Sequence, residues 1–257
     1  MDFERLHPGD AAASVAPPDL GDGLLELRQY TLHPGQREAL IGLFDREFVE
    51  SQEACGMAVP GQFRDLDDAD RFVWLRGFAE PARRAEALAA FYEGPVWQRH
   101  RDAANATMRT WDDVCLLRPA WPGAGLHMAG RQRPAGPLRQ ALPGLLEVGL
   151  LPLDQAAPPD LLQACRERLP QALAGSAAAV LGCYVSETGP NLYPRLPLRQ
   201  GPPLLVVFTL FETAAAHAAQ RDGGPWQQAW QPLIQRWAAG PVQWLRLVAT
   251  ARSALHA

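Results

Sequence analysis

One pattern of residues occurs twice in this chain, in the same order and at a nearly constant distance. Leu24-Leu25-Glu26-Leu27 recurs as Leu145-Leu146-Glu147-Val148, an offset of 145 − 24 = 121. Val59-Pro60-Gly61-Gln62-Phe63 recurs as Val180-Leu181-Gly182-Cys183-Tyr184, and 180 − 59 is again 121. Arg71 to Phe78 matches Leu204 to Phe211 at 204 − 71 = 133, so the second copy carries 133 − 121 = 12 extra residues before that block. Gly94-Pro95 returns as Gly224-Pro225. A repeated unit that cannot cover both its faces alone is expected to pack against its twin.

In the first copy, Leu24–Leu32 alternates as a strand does, with Leu25 and Leu27 on one side and Glu26, Arg28 and Tyr30 on the other. Pro34-Gly35 introduces a helix to about Ala54, with Leu40, Phe44 and Phe48 on one face and Gly56 as its stop. Residues 57–65 and 71–78 read as strands around an Asp-rich loop, Pro81 and Pro95 each open a helix, and 113–118 is a closing strand. This β-α-β-β-α-β order is a ferredoxin-like unit, with one sheet face under helices and one left free. The expected fold is α+β: two such units packed sheet to sheet as one intrachain, pseudo-dimeric α/β barrel with a central cavity.

The expected division is a flexible N-terminal arm over 1–23, units over 24–118 and 145–250, a linker over 119–144 with five Pro and five Gly, and a tail over 251–257. The extra residues of the second copy fall in 187–203, whose five prolines predict an irregular loop over the barrel mouth or at a subunit contact.

Composition narrows the function classes. The net charge of −4 gives no case for nucleic acid or an anionic membrane as partner, and all 24 basic residues are Arg. The longest apolar stretch, Leu204 to Phe211, is too short to span a bilayer. Four cysteines spaced 60, 50 and 18 residues apart form no metal or redox motif. The acidic start without an apolar run argues against secretion, and a cytoplasmic location is expected.

Charge concentrates in the first copy: residues 24–118 hold 12 Arg and 16 Asp or Glu, whereas residues 145–250 hold 7 of each. Strand alternation gives Gln62 and Arg64 one face, and Phe72, Trp74, Arg76 and Phe78 one face of the next strand. If these coincide with the face of Glu26, Arg28 and Tyr30, the cavity holds several guanidinium groups, one carboxylate and aromatic walls. Such a setting clamps a planar carboxylate or enolate. The competing reading is an internal Glu26–Arg pair that only holds strands together. The second copy has Gly149 for Arg28, Leu151 for Tyr30, Val185 for Arg64 and Thr209 for Arg76, and keeps only Glu147 for Glu26. One active half and one lid half are expected.

Tyr30 and His100 are thus candidates for moving a proton, and Glu26, Arg28, Arg64, Phe72, Trp74 and Arg76 for binding substrate. His100 also admits an axial haem role or a structural one, and its counterpart is Ala229. Asp67, Asp68 and Asp70 lack the spacing of a calcium loop, so no metal site is expected there. No Gly-rich phosphate loop or Ser-His-Asp arrangement is supported.

The block Glu26-Leu27-Arg28-Gln29-Tyr30-Thr31-Leu32-His33-Pro34-Gly35 resembles the NIPSNAP family, as do Gly61 to Asp68, Arg71 to Phe78 and Phe91-Tyr92-Glu93-Gly94-Pro95-Val96-Trp97. The resemblance covers nearly all of 24–118 and implies the dimeric α/β-barrel superfamily, which includes small monooxygenases, haem-handling enzymes and isomerases. The expected function is binding, and cofactor-independent transformation, of a small aromatic or carbonyl-bearing compound in the first repeat. The alternatives are a non-enzymatic protein-interaction adaptor and a haem-binding protein. A homo-oligomer is compatible with either.

Overall fold

A computed structural model of the chain describes residues 19–135 and 142–257. The first half runs β1 (Leu24–Leu32), α1 (Arg37–Leu43), a π-helical turn (Phe44–Phe48), α2 (Val49–Glu53), β2 (Gln62–Asp65), β3 (Arg71–Phe78), α3 (Arg84–Tyr92), α4 (Pro95–Asn105) and β4 (Met108–Pro119). The second half runs β5 (Leu145–Pro152), α5 (Pro159–Ala172), β6 (Ala178–Ser186), β7 (Leu204–Phe211), α6 (Ala214–Arg221), α7 (Pro225–Trp237) and β8 (Gln243–Ala249). Local chemistry sets the helix starts. Pro95, Pro159 and Pro225 occupy the first helical turn, where a missing N–H is harmless. Thr213 caps α6 by accepting from the Ala216 N–H at 3.0 Å.

The eight antiparallel strands close into one barrel in the order β1-β3-β2-β8-β5-β7-β6-β4. Each half supplies one four-stranded sheet, and the sheets join along two seams. In one, Phe63 of β2 faces Ala249 of β8; in the other, Leu117 of β4 faces Ser186 of β6. The two ferredoxin-like units therefore make a single intrachain α/β barrel.

The interior corrects the expected central cavity. Leu25, Leu27, Phe63, Val73 and Leu75 from one half meet Leu146, Val148, Leu150, Val206 and Phe208 from the other in a single buried apolar cluster. Glu26, Arg28, Tyr30, Trp74 and Arg76 occupy the alternate positions and face outward, beneath the first half's helices. The physical reason is partnership. The barrel centre offers only aliphatic and aromatic side chains, whereas the helix layer brings polar groups that can satisfy a buried charge.

Residues 1–18 of the expected arm and 136–141 of the expected linker lie outside the described residues. Of the rest, Leu20 is fully buried in the interior cluster, so close to Gly77 that a Cβ there would lie 2.2 Å from its Cδ1. Leu126 and Met128 from the linker and Ala254 and Leu255 from the tail join the same cluster. These termini and connections plug the barrel. The second strand is shorter than the predicted 57–65, because Pro60 cannot donate and the Val59 carbonyl is taken by Arg133 at 2.8 Å. Among the described residues no helix is long and apolar enough to cross a membrane.

Candidate functional site

Glu26 lies mid-strand in β1 and is fully buried, a position where a lone carboxylate could not stay charged. It accepts from Arg28 Nη1 at 2.7 Å, from Arg76 Nε and Nη2 at 2.9 and 2.6 Å, and from Arg84 Nε and Nη2 at 3.0 and 2.6 Å. The fold delivers all three. Arg76 stands directly opposite Glu26 on β3, Arg28 is two residues along the same face, and Arg84 descends from the first turn of α3. Burial opposes the charge, but Arg76, Arg28 and Arg84 outweigh it and hold the Glu26 carboxyl well below the usual carboxylate range. Three guanidinium charges against one carboxylate leave a buried excess of positive charge.

That excess reaches two phenols. Arg28 Nε donates to the Tyr30 hydroxyl at 3.0 Å; Arg76 Nη1 donates to the Tyr92 hydroxyl at 3.1 Å and to Gln52 Oε1 at 3.2 Å. Tyr30, Tyr92 and Gln52 line a cavity of about 30 Å³ between the sheet and the helices, walled by Phe44, Phe48, Trp74, Phe91 and Trp97. Its rings meet edge to face, as with Phe44 and Trp74 at 4.7 Å. The Trp74 indole N–H is buried there without a partner. Burial raises the Tyr30 phenol above its ordinary pKa, so the group keeps its proton at neutral pH. Because the phenol oxygen already accepts from Arg28, its proton is free for an acceptor in the cavity. The π-helical turn carrying Phe44 and Phe48 is a distortion often found at functional sites.

Not every predicted residue joins this group. Phe72 packs against Phe44 at 5.4 Å, behind the cavity wall. Arg64 shares the sheet face but lies near the β8 seam, where it reaches outward to Glu38 at 2.6 Å and is partly exposed. His100 sits with its Nε2 3.6 Å from Glu47 and its ring against Phe48, and it does not line the cavity. The Asp-rich loop is committed elsewhere: Asp67 pairs with Arg246, Asp68 with Arg71, and Asp70 accepts from the Gly35 N–H at 2.9 Å. Among the described residues, no group of three or more His, Cys, Asp and Glu side chains could hold a metal ion.

Strand parity alone could not find Arg84, Gln52 or Tyr92, which come from helices. A helical signal existed for one of them, since Arg84 precedes the buried Leu88 by four residues and so shares its inward face. The five prolines of 187–203 predict an irregular loop over the barrel mouth or at a subunit contact; its observed place is against α3 of the first half. It contains no helix or strand and folds over the first half. There Asn191 Oδ1 accepts from Arg84 Nη1 at 3.2 Å, Arg195 meets Glu93 at 3.1 Å, and Tyr193 stacks on Tyr92 with centroids 6.3 Å apart.

The corresponding place in the second half is filled. Glu147, the counterpart of Glu26, lies 2.7 Å from His217 Nε2 and accepts from the Trp226 indole at 2.7 Å. A Cβ on Gly149, the counterpart of Arg28, would lie 2.6 Å from Trp244 and 3.2 Å from Trp230. Indole rings stand where the first half has a guanidinium and a cavity.

Residues 25–120 match the NIPSNAP family model. No curated protein matches the chain. Among solved structures, a candidate monooxygenase from Fusobacterium nucleatum is similar over 89% of this chain and 93% of its own, with a TM-score of 0.56 and 7% identity. A candidate monooxygenase from Lactobacillus acidophilus is similar over 90% and 98%, with 0.55 and 10%. An anthrone oxidase-like protein is similar over 92% and 96%, with 0.51 and 15%. At such identities these likenesses establish the fold across about nine-tenths of the chain and leave the chemistry to the site. The match to the NIPSNAP family model, residues 25–120, falls on the first half of this tandem α/β barrel.

Proposed function

We propose that the first half binds, and transforms without a cofactor, a small aromatic or carbonyl-bearing compound whose oxygen takes negative charge at Tyr30 and Tyr92. The observation that supports this reading is the pair of phenols at the edge of an aromatic cavity, each backed by a guanidinium of a cluster with excess positive charge. Donors fixed in advance around a developing oxyanion stabilise it without reorganising, and a dry aromatic wall strengthens the effect. Arg28 and Arg76 act through the phenols rather than as a direct clamp. The anthrone oxidase-like relative names a compound of this type, an aromatic ketone with an enol form.

The test is calorimetric titration with 2-hydroxybenzoate, with benzamide as the neutral control. The anion should bind in preference to the amide, Tyr30→Phe should weaken it about tenfold, and Arg76→Leu should abolish it. A large melting loss in Arg76→Leu with no specific loss of binding would overturn the proposal and leave the cluster a strand-holding device.

A further inference from the structure

The cavity is too small for the ligand just proposed. Its volume is about 30 Å³, against the ~150 Å³ of an apolar cavity that admits benzene. One wall must therefore move. The sheet, α3 and α4 are tied into the apolar cluster of the first half, with Leu88, Phe91 and Ala104 all buried. The 187–203 segment adds only Tyr193, with the partly buried Leu196 beside it, to that cluster. Its two ends are pinned to the edge of β4, where the Glu187 N–H donates to the Leu116 carbonyl at 2.8 Å and the Arg199 N–H to the Val114 carbonyl at 2.9 Å. Between these anchors the polar ties across to the helices are the Asn191–Arg84 hydrogen bond and the exposed Arg195–Glu93 pair. Exposed pairs of this kind hold weakly.

Tyr193 links this segment to the cavity. It packs on Tyr92, which is itself a cavity wall, so displacing Tyr193 removes one face of the packing on that ring and leaves Phe91, Trp97 and the Arg76 hydrogen bond to hold it. The Tyr193 hydroxyl is buried with no hydrogen-bond partner, an unfavourable state that a ligand oxygen would relieve. Leu192 beside it is an exposed large apolar residue at the loop tip.

We propose that 187–203 is a lid given by the second half to the first, opening to admit an aromatic oxyanion and closing with Tyr193 as an added ligand-contacting residue. The inference rests on the binding reading above. It is tested in the full chain carrying Glu93→Cys, Arg195→Cys and Cys55→Ser, joined by a short cleavable bis-maleimide. The probe is 2-hydroxybenzoate, followed by stopped-flow quenching of tryptophan fluorescence. Cross-linking should slow association at least tenfold, and cleaving the linker should restore it. In the uncross-linked chain, Tyr193→Phe should raise the dissociation rate about tenfold, the loss of one buried hydrogen bond. Equal association rates with and without the cross-link would overturn the lid while leaving the binding proposal intact. No quenching in the uncross-linked chain, with calorimetry equally silent, would overturn the binding proposal and the lid with it.

Discussion

Glu26→Gln removes one oxygen's charge and nothing of the side chain's size, which makes it the sharpest probe of the buried cluster. The carboxylate receives five N–H donors from three guanidinium groups, and none of the four side chains has appreciable exposure. Its loss leaves three buried like charges facing an amide. Removing one partner of a buried pair costs about 3–5 kcal/mol, a large share of the ~5–15 kcal/mol that holds a domain folded. At about 2–4 °C per kcal/mol for a chain of this length, melting should fall by roughly 6–20 °C. The pH dependence carries its own sign. A carboxyl held below its unfolded value stabilises fully above about pH 4.3, and that contribution shrinks by ~1.4 kcal/mol per unit as the pH falls further. The melting gap between wild type and variant should be flat from neutral pH to about 5 and narrow in acid. A gap under about 3 °C, or one that does not narrow below pH 4, would refute the view that three arginines lean on one carboxylate.

Asp45 behaves in the opposite sense: burial pushes its carboxyl up to about 6, against an ordinary value near 4, although Thr250 donates to it. Stability should fall as pH rises through that interval, so Asp45→Asn should raise stability at pH 8 by up to about 3 kcal/mol, read as a higher melting temperature, and have no effect at pH 3; an unchanged melt at pH 8 would count against it. Gly149→Ala forces a Cβ to within 2.6 Å of Trp244, and overpacking of this kind costs ~1–3 kcal/mol. Melting should drop while 2-hydroxybenzoate binding stays at the wild-type value, because the indole-filled pocket belongs to the other half.

The duplication made the architecture legible. Blocks matched in one order, at an offset of 121 that grows to 133, required two like units, and the order of strands and helices required sheets that shield each other. Strand parity also grouped Glu26, Arg28, Tyr30, Trp74 and Arg76 on one face, as the register of β1 and β3 has it. Alternation does not say which face is the barrel's. Leu25 and Leu27 alternate with Glu26 and Arg28, and the choice of interior depends on where Gln52, Tyr92 and Arg84 end up, which is a tertiary fact. Arg64 illustrates the limit of parity, for its strand face is right and its distance along the sheet places it beside Glu38 instead. The 12 extra residues could be assigned irregularity from their prolines, but not a destination in the opposite half.

Closing both seams within one chain has a consequence for how such a protein can change. When two identical chains form a barrel, every substitution appears on both sides of the axis. Gly149 with its two tryptophans would then fill both pockets, and no site would survive. Joined in tandem, each half varies by itself: one can surrender its pocket to indoles and lengthen a hairpin across its neighbour, while the other keeps its arginines. Barrel closure also ceases to depend on protein concentration, because the partner strands are never separate molecules. Asymmetry, unavailable to a pair of equals, is what the covalent link between β4 and β5 permits.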